Sequence, residues 1–256
     1  MNLIKTEDPA YEAYEALLLE RDQLRKEAGQ VWTVYMRLFG QLLTRIYEEK
    51  LACIERKKAI AYCQQAINRG GQVEREALKA YLDGEMRAYH DRLAAMLKDY
   101  EACKTAGKST AYEATRARTL YRRLAKRLHP DLNPATEQHQ ALRALWQRVM
   151  TAYGHNDVKT LAELEVLAEK ALRELGTGGI RVEVPDIGEK MAGLQEEIEG
   201  IRSTEPWILK ALVTSEEAVR NKTLALEEEL ENCRRYRAEL DGVLQAMLDE
   251  GGITIQ

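Results

Sequence analysis

Residues 121–134, YRRLAKRLHPDLNP, hold the side chains best placed to do chemistry. Arg116, Arg118, Arg122, Arg123, Lys126 and Arg127 are followed at once by His129, Pro130 and Asp131. Histidine and aspartate are a familiar acid–base pair. Here they flank a proline, so they point in different directions, and no nucleophile or metal set accompanies them. A hydrolytic site is not expected. The chain is read as a non-enzyme, with no cofactor and no metal. The chemistry left is binding. A cationic face suits a fast, salt-sensitive encounter with an acidic surface. A rigid turn carrying one ring and one carboxylate suits directional contacts.

The elements that position these groups follow from helical periodicity. Over residues 113–128, Ala117, Leu120, Tyr121, Leu124 and Leu128 fall on one face, and the six basic residues spread over the other. Like charges at spacing four cost a helix a few tenths of a kcal/mol per pair, so local helix stability does not explain them. Pro130 lacks an N–H and disfavours helical geometry at His129. The helix is therefore expected to end near Leu128, with His-Pro-Asp in an exposed turn. Asn133 or Thr136 caps the next helix. There Leu142, Trp146, Val149 and Tyr153 repeat at helical spacing and can pack on the apolar face of the basic helix.

Three consecutive segments organise the rest. In residues 1–104, Trp32, Tyr35, Phe39, Leu42 and Ile46 recur at steps of three and four. The pattern runs on to "NRGG" at 68–71, whose glycine suits a helix C-cap. A second helical run returns through residues 73–104. The segment is read as a long helical hairpin or coiled coil, with arms of roughly 40 residues and a shorter helix before it near 8–27. Residues 105–178 hold the basic helix and its tip. Residues 179–256 read as helices over 186–203 and 205–249. In the latter Leu226, Leu230, Cys233, Arg237, Leu240, Leu244 and Met247 alternate steps of four and three, a coiled-coil seam with one charged interruption. That seam should pack on its own hairpin mate or on a second copy in a homodimer, and packing within the chain is the favoured reading. "IRVEVP" at 180–185 and the closing "GGITIQ" have the pattern for a short β ribbon. The fold class is all-α.

Composition narrows the setting. The 256 residues carry a formal net charge of −4, so the whole molecule is no general polyanion binder and any basic surface is local. No apolar stretch is long enough to insert into a membrane, and the start lacks the layout of a secretory signal. Cys53, Cys63, Cys103 and Cys233 suit neither zinc nor a disulfide framework. A reducing cytoplasm is the expected compartment.

Helix, His-Pro-Asp, loop, helix resembles the J-domain of DnaJ-type co-chaperones. The family pattern Y-[KR]-[KR]-L-A followed by H-P-D-x-N-P stands here as Tyr121, Arg122, Arg123, Leu124, Ala125, then His129, Pro130, Asp131, Leu132, Asn133, Pro134. Its third-helix pattern stands as Trp146, Val149, Ala152 and Tyr153. The likeness covers residues 96–170. The family's opening D-Y-Y-x-x-L-G-V is reduced to "DYEAC" at 99–103, so the end of the long hairpin is expected to supply the first helix. The loop after Asn133 is longer than the family's, and Gln147 follows Trp146 where a basic residue is common. There is no glycine/phenylalanine-rich region and no C-x-x-C-x-G-x-G repeat. This is similar to the divergent class in which the J-domain is joined to unrelated modules.

The resemblance implies a partner, a DnaK-type chaperone ATPase, whose hydrolysis of ATP the module stimulates. Arg118, Tyr121, Arg122 and Arg123 would dock on its acidic surface, Tyr121 also serving in packing, with Lys126 and Arg127 in the same basic block. His129, Pro130 and Asp131 would couple to its conformational switch. Asn133 is a lesser candidate, chiefly a helix cap. The flanking helices would recruit an unidentified client or complex. Two rivals remain. One is a structural coiled-coil scaffold with a degenerate J-like hairpin. The other is nucleic-acid binding through the basic helix, against which stand the net acidity and the lack of base-reading amides on that face.

Overall fold

A computed structural model describes residues 9–70, 73–107, 109–176 and 186–250. Its regular elements are all helical: α1 (Pro9–Asn68), α2 (Arg75–Thr105), α3 (Ala111–Leu128), α4 (Ala135–Gln138), α5 (Gln140–Gly154), α6 (Val158–Glu174) and α7 (Ile187–Ser203). A 3₁₀ turn (Trp207–Leu209), α8 (Lys210–Thr214) and α9 (Glu216–Glu250) complete the order. The all-α class holds. The stretches expected to form a ribbon, 180–185 and 251–256, lie outside the described residues. No described helix is long and apolar enough to cross a membrane.

α1 corrects the reading of a short helix followed by a separate hairpin arm, since it runs unbroken for 60 residues. Between the two expected pieces stands no proline and a single glycine, Gly29. A helix-interior glycine costs about 1 kcal/mol. Burial of Leu24, Ala28, Val31 and Met36 on either side carries the helix through it. α1 ends where expected, at Asn68, with Gly70 at φ +67°. α1 and α2 are therefore 60 and 31 residues long, where two helices of roughly 40 residues were expected.

The expected helix over 205–249 is also interrupted, at Ser215. Its hydroxyl accepts from Ala218 N–H (3.2 Å) and its carbonyl from Val219 N–H (2.9 Å). A serine that satisfies the first turn of α9 in this way starts a new helix there.

The helices gather into two compact units: the chain up to Trp32 with Gly107–Lys210, and Thr33–Ala106 with the chain from Ala211. These are not the three consecutive segments read from the sequence. α1 buries apolar side chains along its whole length, and its two halves belong to different units.

In the second unit Phe39 and Ile46 of α1 pack with Leu226 and Leu230 of α9, and Tyr35, Leu42 and Cys233 close around them. Arg237, the charged interruption of the seam, reaches Glu49 at 2.8 Å. Tyr62 and Tyr81 stack obliquely at 5.0 Å, which ties α1 to α2. Gly40 is needed where it stands. A Cβ there would meet the ring of Tyr100 at 2.4 Å. All four cysteines are free thiols, and burial raises the pKa of each.

The first unit is built on α3. Its Leu120, Tyr121, Leu124 and Leu128 interleave with Leu142, Val149 and Tyr153 of α5 and with Leu161, Leu164 and Leu172 of α6. Trp146 is half-buried against the same cluster. α3 starts in a capping box: Thr110 Oγ1 accepts from Glu113 N–H (3.1 Å), and the Glu113 carboxylate accepts from Thr110 N–H (2.8 Å). α6 starts on Asp157, whose carboxylate accepts from Thr160 N–H (3.0 Å). The helix that stands beside this pair is the N-terminal half of α1, where the end of α2 was expected. α2 carries no L-G-V and belongs to the other unit.

Candidate functional site: the His-Pro-Asp tip and the basic ridge

The tip is a knitted turn rather than a loose loop. Pro130 forces His129 into an extended conformation, φ −63° and ψ 126°, and α3 stops there. The His129 carbonyl accepts from Leu132 N–H (2.9 Å) and Asn133 N–H (2.7 Å). The Asn133 amide donates to Arg127 O (2.8 Å), and its oxygen accepts from Ala135 N–H (3.1 Å). Asn133 thus caps the one-turn helix α4 and braces the end of α3. Thr136, the other expected cap, is buried inside α4, and α5 starts at His139 without a side-chain cap.

His129 departs from the expectation of an exposed loop, since only 4% of it is accessible. The N–H of Asp131 donates to its Nδ1 at 3.0 Å. An N–H has only its proton to give, so the ring proton belongs on Nε2. Nε2 lies 3.6 Å from Asp22 Oδ2 and 3.3 Å from an Arg21 nitrogen. The ring also meets Trp146 edge-on at 5.0 Å. Nδ1 is engaged by the turn itself, so an acid–base role at that atom would require breaking it.

Asp22 is the hub. It is 3% exposed, accepts the Tyr121 hydroxyl at 2.5 Å and pairs with Arg21 at 2.9 Å. Burial pushes its carboxyl pKa up, but His129, Tyr121 and Arg21 together more than offset that and hold it below the ordinary carboxylate value. Burial first, and the Asp22 carboxylate second, raise the Tyr121 pKa above the usual 10.0. Tyr121 stacks on Tyr153 with centroids 3.9 Å apart and planes 6° from parallel. It is a core residue here. Its expected docking role is corrected, because the apolar face that carries it is the face that α5 and α6 cover.

The remaining expected residues divide by position. Asp131 is exposed, its carboxylate 3.9 Å from Arg21. Pro130 and Arg127 are half-buried. Arg118, Arg122 and Lys126, four residues apart, form one ridge along an open groove of about 580 Å³. Its opposite wall carries Glu12, Glu15, Glu20 and Glu27 of α1. Lys126 pairs with Glu15 at 2.8 Å. Arg123 turns the other way, to Glu165 of α6 at 2.8 Å. The basic run from Arg116 to Arg127, which no acid interrupts, is thus matched by acids from α1 and α6.

Arg21, Asp22 and the α1 acids were missed because the J-like pattern covers nothing before residue 96. One signal was present. Tyr11, Tyr14, Leu18 and Asp22 fall at helical spacing, so an acid stands in line with an apolar face. A charge on such a face needs a buried partner.

Lys26 sits near this hub. Its ammonium lies 3.6 Å from the centre of the Tyr153 ring and donates to Asn156 Oδ1. Burial, then the charge of Arg118, brings its pKa down to about 8, with Glu27 working the other way. The folded state therefore loses this proton from about pH 8 upward, while the unfolded chain keeps it to the ordinary 10.5. The unfolded state then holds more protons, so this site's contribution to stability rises with pH in that window. Thermal melts at pH 7.5 and 9.5 should show a gain in the parent that Lys26→Met lacks. Identical pH dependence in both chains would refute the assignment.

The chain matches no protein-family model, and neither curated proteins nor solved structures offer a significant match to it.

Proposed function

We propose that the α3–α5 pair is a J-type module that engages a DnaK-type chaperone ATPase and stimulates its ATP hydrolysis. The observation that carries this reading is the knitted His-Pro-Asp turn at the end of a helix basic on one side only. Arg118, Arg122, Arg123 and Lys126 supply the docking charge. Pro130 sets the angle of the tip, and Asp131 is the member of the tripeptide presented to a partner. The hairpin of α1 with α2, and the α9 seam, form the coiled-coil arm that recruits a client or partner complex.

A second reading has its own support in the burial of His129 and Tyr121. In it the tip is a structural hub that anchors α1, and the chain is a helical scaffold. One experiment separates the two. Single-turnover ATP hydrolysis by a DnaK-type chaperone is measured with increasing amounts of the full chain. The J-type reading expects stimulation that Arg122→Glu/Arg123→Glu abolishes, with stability changed by no more than about 1 kcal/mol, as is usual at exposed sites. Absence of stimulation at any concentration favours the scaffold.

A further inference from the structure

The N-terminal half of α1 lies on the face that docking would use. Glu15 reaches Lys126, and Glu12, Glu20 and Glu27 line the same groove as Arg118 and Arg122. At the tip, Arg21 stands 3.9 Å from the Asp131 carboxylate, and Asp22 stands 3.6 Å from the His129 ring. Tyr14 and Leu18 pack on Leu132, directly after the tripeptide. To α3 this segment presents what an acidic partner surface would present: carboxylates along the ridge and contacts on the tip.

We propose that residues 9–32 are a built-in cover, an acidic helix that occupies the basic docking face and buries His129, so that the partner engages only molecules in which the cover has lifted. This rests on the J-type reading and concerns the regulation of that same site.

The construction suits a cover that opens. Along the ridge the two helices leave an open groove rather than a packed seam. The Lys126–Glu15 pair is exposed on its lysine side, at 58%, so water and salt weaken it. Apolar anchoring is strongest at the tip, where Tyr11, Tyr14 and Leu18 meet Leu132, Ile187 and Leu194, and Leu19 adds a partly buried contact on the α3–α6 core. Lifting the segment would return Asp22 to water and open the Tyr121 hydroxyl and the His129 Nε2 edge to it at the same time, so no charge is left buried without its partner. A competing acidic surface would then replace one set of carboxylates by another. Such a device tunes apparent affinity through the open fraction: a face open in about one molecule in twenty binds about twentyfold more weakly than a bare one.

Hydrogen exchange of the full chain, alone and with an excess of a DnaK-type ATPase and ATP, tests this directly. Bound partner should slow exchange across residues 116–131 and speed it across residues 9–32 by at least about fivefold. A second arm uses Glu12→Gln/Glu15→Gln, which weakens the cover and leaves every docking residue, and the separate Glu20–Arg202 pair, in place. At sub-saturating concentration this variant should stimulate the ATPase at least about fivefold better than the parent. Slowed exchange in α3 without faster exchange in residues 9–32, or a variant no better than its parent, overturns the cover and leaves the docking reading standing. No binding and no stimulation by either chain overturns the docking reading and the cover with it.

Discussion

Asp131→Asn is expected to cut stimulation of a DnaK-type ATPase by at least about tenfold, roughly 1.4 kcal/mol of coupling, and to leave folding unchanged. The side chain is 44% exposed, and its pairing with Arg21 spans 3.9 Å. A pair of that kind is worth less than about 1 kcal/mol. The substitution keeps shape and removes charge, so the loss would report what the carboxylate does to a partner. His129→Gln is a different experiment, although the sequence placed both residues in one exposed turn. His129 is buried, its Nδ1 holds the Asp131 N–H, and its ring meets Trp146. Loss of that acceptor and that contact should cost about 1–3 kcal/mol of stability as well as stimulation. Single-turnover ATPase assays paired with thermal melts check both. Parental stimulation by Asp131→Asn would remove the tip from the mechanism.

The second large effect is expected at Asp22. Asp22→Ala leaves the Tyr121 hydroxyl, the His129 ring and Arg21 without their common acceptor. Taking one partner from a buried charged network costs about 3 kcal/mol or more. That loss is capped by the free energy of lifting residues 9–32, because water then takes the place of the missing carboxylate. The measurement is therefore amide exchange across residues 14–22, which should quicken by roughly a hundredfold, the equivalent of about 3 kcal/mol in the opening equilibrium. A change under about threefold would mean that apolar packing alone holds the segment. Acid sensitivity follows with a definite sign. The folded carboxyl titrates below its ordinary 3.8, so near and below that pH the unfolded chain binds the extra proton first. The stability that Asp22 contributes is present above that window and is lost as pH falls through it. Asp22→Asn should flatten the acid limb of the melting curve.

The parts of the site that were legible in the sequence are those made by near neighbours. The two faces of α3 come from residues three and four apart. Its end comes from Pro130, and its brace from Asn133, four residues beyond His129. The matching face of α5 repeats Leu142, Val149 and Tyr153 at the same period. α1 was legible as helix, but its continuity through Gly29 was not. A glycine's cost of about 1 kcal/mol is decided by what packs on either side of it.

By itself the sequence determined an all-helical chain, one strongly one-sided basic helix, and a turn whose backbone hydrogen bonds close within five residues. These depend on local sterics and on periodicity, which act before distant parts of the chain meet. The tertiary structure alone decided that His129 is buried and Asp131 is not. It also decided that Tyr121 is a core residue, and that acids from α1 and α6 face a ridge with none of its own. Asp22 and Tyr121 are 99 residues apart and His129 lies further still. Nothing in the local pattern of either segment specifies the other. Their pairing follows from the need of Tyr11, Tyr14 and Leu18 to leave water, which carries Asp22 in with them and obliges it to find its partners there.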